Sequence, residues 1–322
     1  YFNEDAGDGN HRINATYFPT AQQRYRSAFG STTDFIVSSN NSAPVFGQPL
    51  ALSATLHNDN LPVSAFTGTV RFFAGTKALG PSVGVANGVA NSTTSIVPAG
   101  DNSITARYTP AAGVVPFMST PFAQHVDRIS TTLSVTAGVT NPVYSQTFNV
   151  VATPSPVAPG TKIPTGSVTF TNRSTNVTNT RLLVYGKAIL STSSLALGVN
   201  TFSVQYNGGT NFAPATATLN RTVVGASSAT TLTWAPHVVA AGAPVAFAAL
   251  VKCVAPCVVV PTGTVTFSDG ATAISSAIPL DAAGGASFTT SSLARGTHSI
   301  KATYSGSGGI SPSARSVTAT IS

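Results

Sequence analysis

The chain has 322 residues, 42% of them hydrophobic but only 8% charged, with a net charge of +7; this length suits two or three domains, each with a core of its own. Hydroxyl runs such as Ser92-Thr93-Thr94-Ser95 and Thr289-Thr290-Ser291-Ser292 must cover the surface, a composition that disfavours helix and fits pleated strands. The charge reflects a shortage of acids, nine in all, which argues against nucleic-acid binding, and the most apolar stretch, 238–251, is broken by Gly242 and Pro244, which argues against membrane insertion.

Residues 1–30 are too short for a domain, yet Arg12-Ile13-Asn14-Ala15-Thr16-Tyr17 alternates like the last strand pair of a sandwich. An isolated hairpin is marginal in water. The segment is therefore expected to complete an upstream domain of a longer chain or to be donated to a neighbouring subunit. Asp5, Asp8 and Asn10 surround glycines there and form the one weak calcium candidate, without EF-hand spacing; an ordinary Asp/Gly turn explains them as well. The basic stretch from Arg12 to Arg26, with Tyr17, Phe18 and Tyr25, is the candidate contact for an acidic surface polysaccharide, and a solvated strand pair explains it as well. No cofactor is expected.

Downstream, three landmarks recur with a period of 97 or 98 residues. Thr67-Gly68-Thr69-Val70-Arg71-Phe72 returns as Thr165-Gly166-Ser167-Val168-Thr169-Phe170 and as Thr262-Gly263-Thr264-Val265-Thr266-Phe267. Turn glycines Gly100, Gly198 and Gly296 come next. Each precedes an alternating run with inward positions: Ile104-Ala106-Tyr108, Phe202-Val204-Tyr206 and Ile300-Ala302-Tyr304. The period places domains at 31–128, 129–225 and 226–322, stacked as an elongated array. In the third, seven strands are predicted: Thr230–Thr233, Val245–Val251, Gly263–Phe267, Ala271–Ile278, Ala286–Thr290, Ser299–Tyr304 and Arg315–Ile321.

Catalytic patterns are poor. Gly80-Pro81-Ser82-Val83-Gly84 has the nucleophile-elbow spacing, but no helix is predicted after it, and the elbow needs one. His11, His57, His125, His237 and His298 are scattered, and no strand-and-loop motif other than Glu4, Asp5 and Asp8 groups carboxylates. Cys253 and Cys257 lack further metal ligands and are expected to form a short, dispensable disulfide, which implies an oxidising compartment. Six sequons, at Asn14, Asn40, Asn91, Asn172, Asn176 and Asn220, mark possible glycosylation and are no more than chance supplies.

The segments Pro261 to Gly270, Leu293 to Gly296, Lys301 to Gly306 and, in the second repeat, Tyr206 to Pro214 resemble the tandem bacterial immunoglobulin-like repeat domains of large surface and secreted proteins. The resemblance implies an all-β chain of immunoglobulin-like β-sandwiches with about seven strands each, no catalytic residues and a spacer, adhesive or fibre role outside the cell. Copies of the chain itself are then the expected partner. The alternatives are an adhesin or glycan-binding module, or an accessory region of a larger secreted enzyme.

Overall fold

A computed structural model describes residues 24–26, 32–111 and 115–322. The calcium candidate Asp5, Asp8 and Asn10, the sequon Asn14 and the Arg12–Tyr17 strand lie outside them.

Repeat one contains β1 (Arg24–Arg26), β2 (Thr32–Ser39), β3 (Leu50–Asn58), β4 (Gly68–Ala74) and β5 (Lys77–Ala78). It continues with β6 (Val83–Gly84), β7 (Val89–Thr94), β8 (Gly100–Pro110), β9 (Phe117–Met118) and β10 (Phe122–Val126). Repeat two contains β11 (Thr131–Ala137), β12 (Phe148–Pro156), β13 (Ser167–Asn172) and β14 (Val177–Leu182). After these come β15 (Ala188–Thr192), β16 (Gly198–Tyr206) and β17 (Ala215–Val223). Repeat three contains β18 (Ser228–Ala235), β19 (Val245–Cys253), β20 (Thr264–Asp269) and β21 (Thr272–Ala273). It ends with β22 (Ile278–Pro279), β23 (Gly285–Thr290), β24 (Gly296–Tyr304) and β25 (Ser313–Ile321).

Each repeat is a two-sheet sandwich of the immunoglobulin-like kind. The smaller sheets run β1-β2-β3-β7, β11-β12-β15 and β18-β19-β23, and the larger ones have the paths β10-β8-β4-β5, β14-β13-β16-β17 and β21-β20-β24-β25. Alternation along the strands sends one face inward. All nine landmark residues of the Ile/Phe-x-Ala/Val-x-Tyr runs are buried, and at least one aromatic pair spans the sheets in each repeat, such as Phe35 with Tyr108, Phe148 with Phe202, and Phe247 with Phe267. Trp234 is half-buried against the core of repeat three and meets His237 edge-on at 4.7 Å.

Two expectations change. The strand expected over Ala271–Ile278 is divided into β21 and β22, because the Ser275 hydroxyl accepts the Phe267 amide at 2.9 Å and takes the place of a ladder carbonyl. Ser119 does the same to the Ala106 amide at 2.8 Å and separates β9 from β10. The basic segment also differs: β1 pairs antiparallel with β2, Arg24 opposite Asp34 to Arg26 opposite Thr32, so it extends the smaller sheet of repeat one at its edge.

Two compact units divide the chain; residues 129–131, 156–164 and 208–213 of repeat two pack with repeat one, and the remainder of repeat two packs with repeat three. Inside the first unit Phe46 meets Phe212 edge-on at 6.4 Å and Asn211 accepts the Ala99 amide at 3.0 Å. Inside the second, Tyr144, which stands one residue after Val143 as Phe46 does after Val45, lies against Gly309.

Candidate functional site

Two polar devices recur in all three sandwiches and a third in repeats two and three, and repeat two adds a pocket. The first device closes the Tyr landmark on the Gly landmark. Tyr108 donates its hydroxyl hydrogen to Thr67 O at 2.6 Å, Tyr206 to Thr165 O at 2.7 Å and Tyr304 to Thr262 O at 2.6 Å. Burial pushes the Tyr108 and Tyr206 hydroxyls above the ordinary tyrosine value, so both stay protonated as donors.

The second device is the residue two positions beyond each turn glycine. Asn102 donates to Pro98 O at 2.8 Å and to Gly100 O at 2.9 Å, holding the turn shut. Asn200 donates to Ala196 O at 2.7 Å and accepts the Ala196 amide at 3.2 Å. In repeat three the same place holds His298, whose Nε2 faces Ala294 O at 2.8 Å. The spacing Gly-x-(Asn/Asn/His) was visible in the sequence, but the change of residue type hid it.

The third device is the partner across the sheet, two residues past the buried Phe of β4, β13 or β20. Repeat one has Ala74 there and repeat two Asn172, whose amide donates to Asn200 at 3.0 Å. Repeat three has Asp269, with Oδ2 2.6 Å from His298 Nδ1 and Oδ1 accepting the Ser299 amide at 3.2 Å. Both His298 nitrogens thus face oxygen acceptors, and only the doubly protonated ring satisfies both. The Asp269 carboxylate, followed by the Ala294 carbonyl, raises the His298 pKa above its ordinary value. Because the folded value exceeds the unfolded one, this stabilisation is complete below about pH 6.5 and is lost as pH rises through the folded value. The stability difference between wild type and His298→Asn is therefore expected to be larger at pH 5.5 than at pH 8.5. Thermal melts of the two proteins at both values check this, and an unchanged difference would sink it.

The other predicted site residues stay apart. Ser82 is exposed and followed by the two-residue β6, not a helix. His57 lies 3.7 Å from Asp59, and His125 lies 2.6 Å from Asp101 and 3.3 Å from Asp127. Hydrogen bonding to Asp101, then proximity to Asp127, raises the His125 pKa at an exposed position. The pairing register of β8 with β10 brings these groups together from distant places in the sequence. Among the described residues no group of three or more His, Cys, Asp or Glu could hold a metal ion. Cys253 and Cys257 are joined by a disulfide with their Cα atoms 5.8 Å apart. Asn40, Asn91, Asn176 and Asn220 are exposed, whereas Asn172 is buried with its amide committed to Asn200, so Asn172 offers no acceptor nitrogen for a glycan in the folded chain.

The pocket, of about 330 Å³, opens in repeat two between β14 and β15. Strand β14 is six residues long, where its counterparts β5 and β21 have two each, and it forms one wall. Phe202, Leu190 and Leu195 make an apolar floor, Asn179, Ser191 and Ser193 line it with amide and hydroxyl groups, and the buried Thr175 hydroxyl has no partner. No charged group lines it.

A family model described as a bacterial Ig-like domain (group 3) matches residues 36–127, 135–224 and 232–322. No curated protein matches. Among solved structures the chain is similar to FdeC, an Escherichia coli adhesin, at 15% identity over 89% of this chain and 96% of that one, with a TM-score of 0.28. It is similar to the Yersinia pseudotuberculosis adhesin InvE at 16% identity over 60% of this chain and 58% of that one, with a TM-score of 0.39. The fibronectin(III)-like modules of Clostridium thermocellum CbhA match at 18% identity over 58% of this chain and 95% of theirs, with a TM-score of 0.25.

Proposed function

The chain belongs to the bacterial Ig-like domain (group 3) family through three consecutive repeats, and from that premise we propose that it is a non-catalytic structural protein outside the cell, a stalk or fibre subunit. Repetition carries this reading. One sandwich plan occurs three times, each copy with its own core and its own Tyr-to-Thr bond, and such a series spans distance and resists unfolding domain by domain. The Cys253–Cys257 disulfide fits an oxidising compartment.

The assembly we propose is strand addition between copies, with residues 1–30 as the donated segment. The edge of β2 supports it: it accepts β1 within the chain, and the same antiparallel register would suit the β1 of a neighbouring copy. The strands also carry few of the charges that commonly block edge pairing. Electron microscopy of the purified chain and of a variant lacking residues 1–30 tests this. Filaments are expected from the first and dispersed particles from the second; unchanged filaments after the deletion, or a wild type that stays monomeric, would refute strand addition.

A further inference from the structure

The charge of the chain is segregated. Residues 1–127 hold six Lys and Arg against seven Asp and Glu, residues 128–268 hold seven against none, and residues 269–322 hold three against two. A surplus equal to the whole net charge therefore sits in an acid-free stretch centred on repeat two. Within it, among the described residues, Arg173 donates only to the Ser203 hydroxyl at 3.2 Å and Arg181 only to the neighbouring Thr180 carbonyl at 3.0 Å.

The turn joining β14 to β15 is unusual for its backbone. In repeat one the matching two-residue turn, closed by Ala86 and Val89, is Asn87-Gly88 with φ of 49° and 76°, residue types that a turn with two positive φ angles favours. Repeat two closes the same turn with Val184 and Lys187 but fills it with Tyr185-Gly186 at φ of 49° and 75°. A bulky residue is disfavoured there. Tyr185 is nevertheless 99% exposed, following Leu182 at 75% and Val184 at 63%. The strain is borne at a position where the ring contributes nothing to the core.

These features lie on one element. On β14, Val177, Asn179 and Arg181 share a face, since they stand opposite Asn172, Phe170 and Val168 of β13. The first two line the pocket. Arg181 follows about 7 Å further along the strand, and the Tyr185 turn comes next. We propose that repeat two binds an acidic polysaccharide along this track. One sugar enters the uncharged pocket, with its hydroxyls on the amide and hydroxyl lining and on the unpartnered Thr175 oxygen. Acid groups of the chain meet Arg181 and Lys187, and the apolar face of a further ring stacks on Tyr185. A hydroxyl-lined pocket has no use for a lipid surface, and two cations separated by neutral residues poorly match the dense phosphates of nucleic acid. The inference holds whether the array is a stalk or a fibre subunit.

Affinity electrophoresis of the full chain through gels containing polygalacturonate, heparin, neutral dextran or duplex DNA tests it at two salt concentrations. Retardation is expected with at least one acidic polysaccharide, more than with DNA of equal charge, and none with dextran. Tyr185→Asn, which installs the residue of repeat one, and Leu190→Phe, which fills the pocket with the residue repeat three carries at the same register as Phe288, should each weaken binding by about tenfold. Arg181→Gln with Lys187→Gln should remove most of the salt dependence. Tyr185→Asn should melt no lower than wild type, so its loss of binding would not reflect unfolding. Equal retardation of Tyr185→Asn and wild type, no retardation by either acidic polysaccharide, or preference for DNA would overturn the proposal.

Discussion

Asn200→Ala is expected to destabilise repeat two by about 2–4 kcal/mol, because Asn200 is fully buried and satisfies several groups at once. Its removal strands the Asn172 amide, the Ala196 N–H and the carbonyls of Ala196 and Gly198. Removing one member of a buried network costs more than any single bond in it contributes, since the remaining polar groups stay dehydrated without partners. A compensating change sharpens the test. Asn172→Asp with Asn200→His transplants the Asp269–His298 pair of repeat three and should recover more than half of the loss at pH 5.5. Denaturant unfolding of the single and double variants measures both; a mild single variant would mean that water replaces the amide.

Gly68→Ala is expected to cost repeat one about 3 kcal/mol or more. Gly68 has a φ of 130°, and a Cβ there would stand 2.2 Å from the Thr109 carbonyl oxygen and 2.8 Å from Pro110 Cα, both backbone atoms of the paired strand β8. Gly100, with a φ of 104°, would place its Cβ in open space. Its replacement by alanine should cost only the strain, about 1–2 kcal/mol. Melting the two variants in parallel separates conformational strain from the close approach, and equal shifts would show that the strands part easily.

The architecture was legible in the sequence because glycine, Val-x-Phe and the buried Tyr impose requirements that few other residues meet, and they fell at one period. The 97-to-98-residue spacing named the inward positions correctly, from Ile104 to Tyr304. What the sequence hid depended on pairing across strands. The divided strand of repeat three follows from one serine hydroxyl reaching a backbone amide, which alternation does not encode. His298 and Asp269, like His125 and Asp101, meet only once the hairpin registers are known. The pocket of repeat two arises from a long β14 beside Leu190, where repeat three has a phenylalanine that stacks on Phe267 at 5.7 Å. The charge segregation was available by counting, but the chain total concealed it.

The polar pair that differs from repeat to repeat has a consequence for folding fidelity. Neighbouring sandwiches with one shared plan are prone to exchange equivalent strands while they form. If β24 docked beside β4, His298 would face Ala74 and lose its carboxylate; if β16 docked beside β20, Asn200 would be set against Asp269 and the Asn172 amide would be left without its acceptor. Either exchange breaks up the Asp269–His298 pair or the Asn172–Asn200 pair, which the native registers keep intact. The Asp/His pair of repeat three thus acts as a key that the strands of the other two repeats do not reproduce.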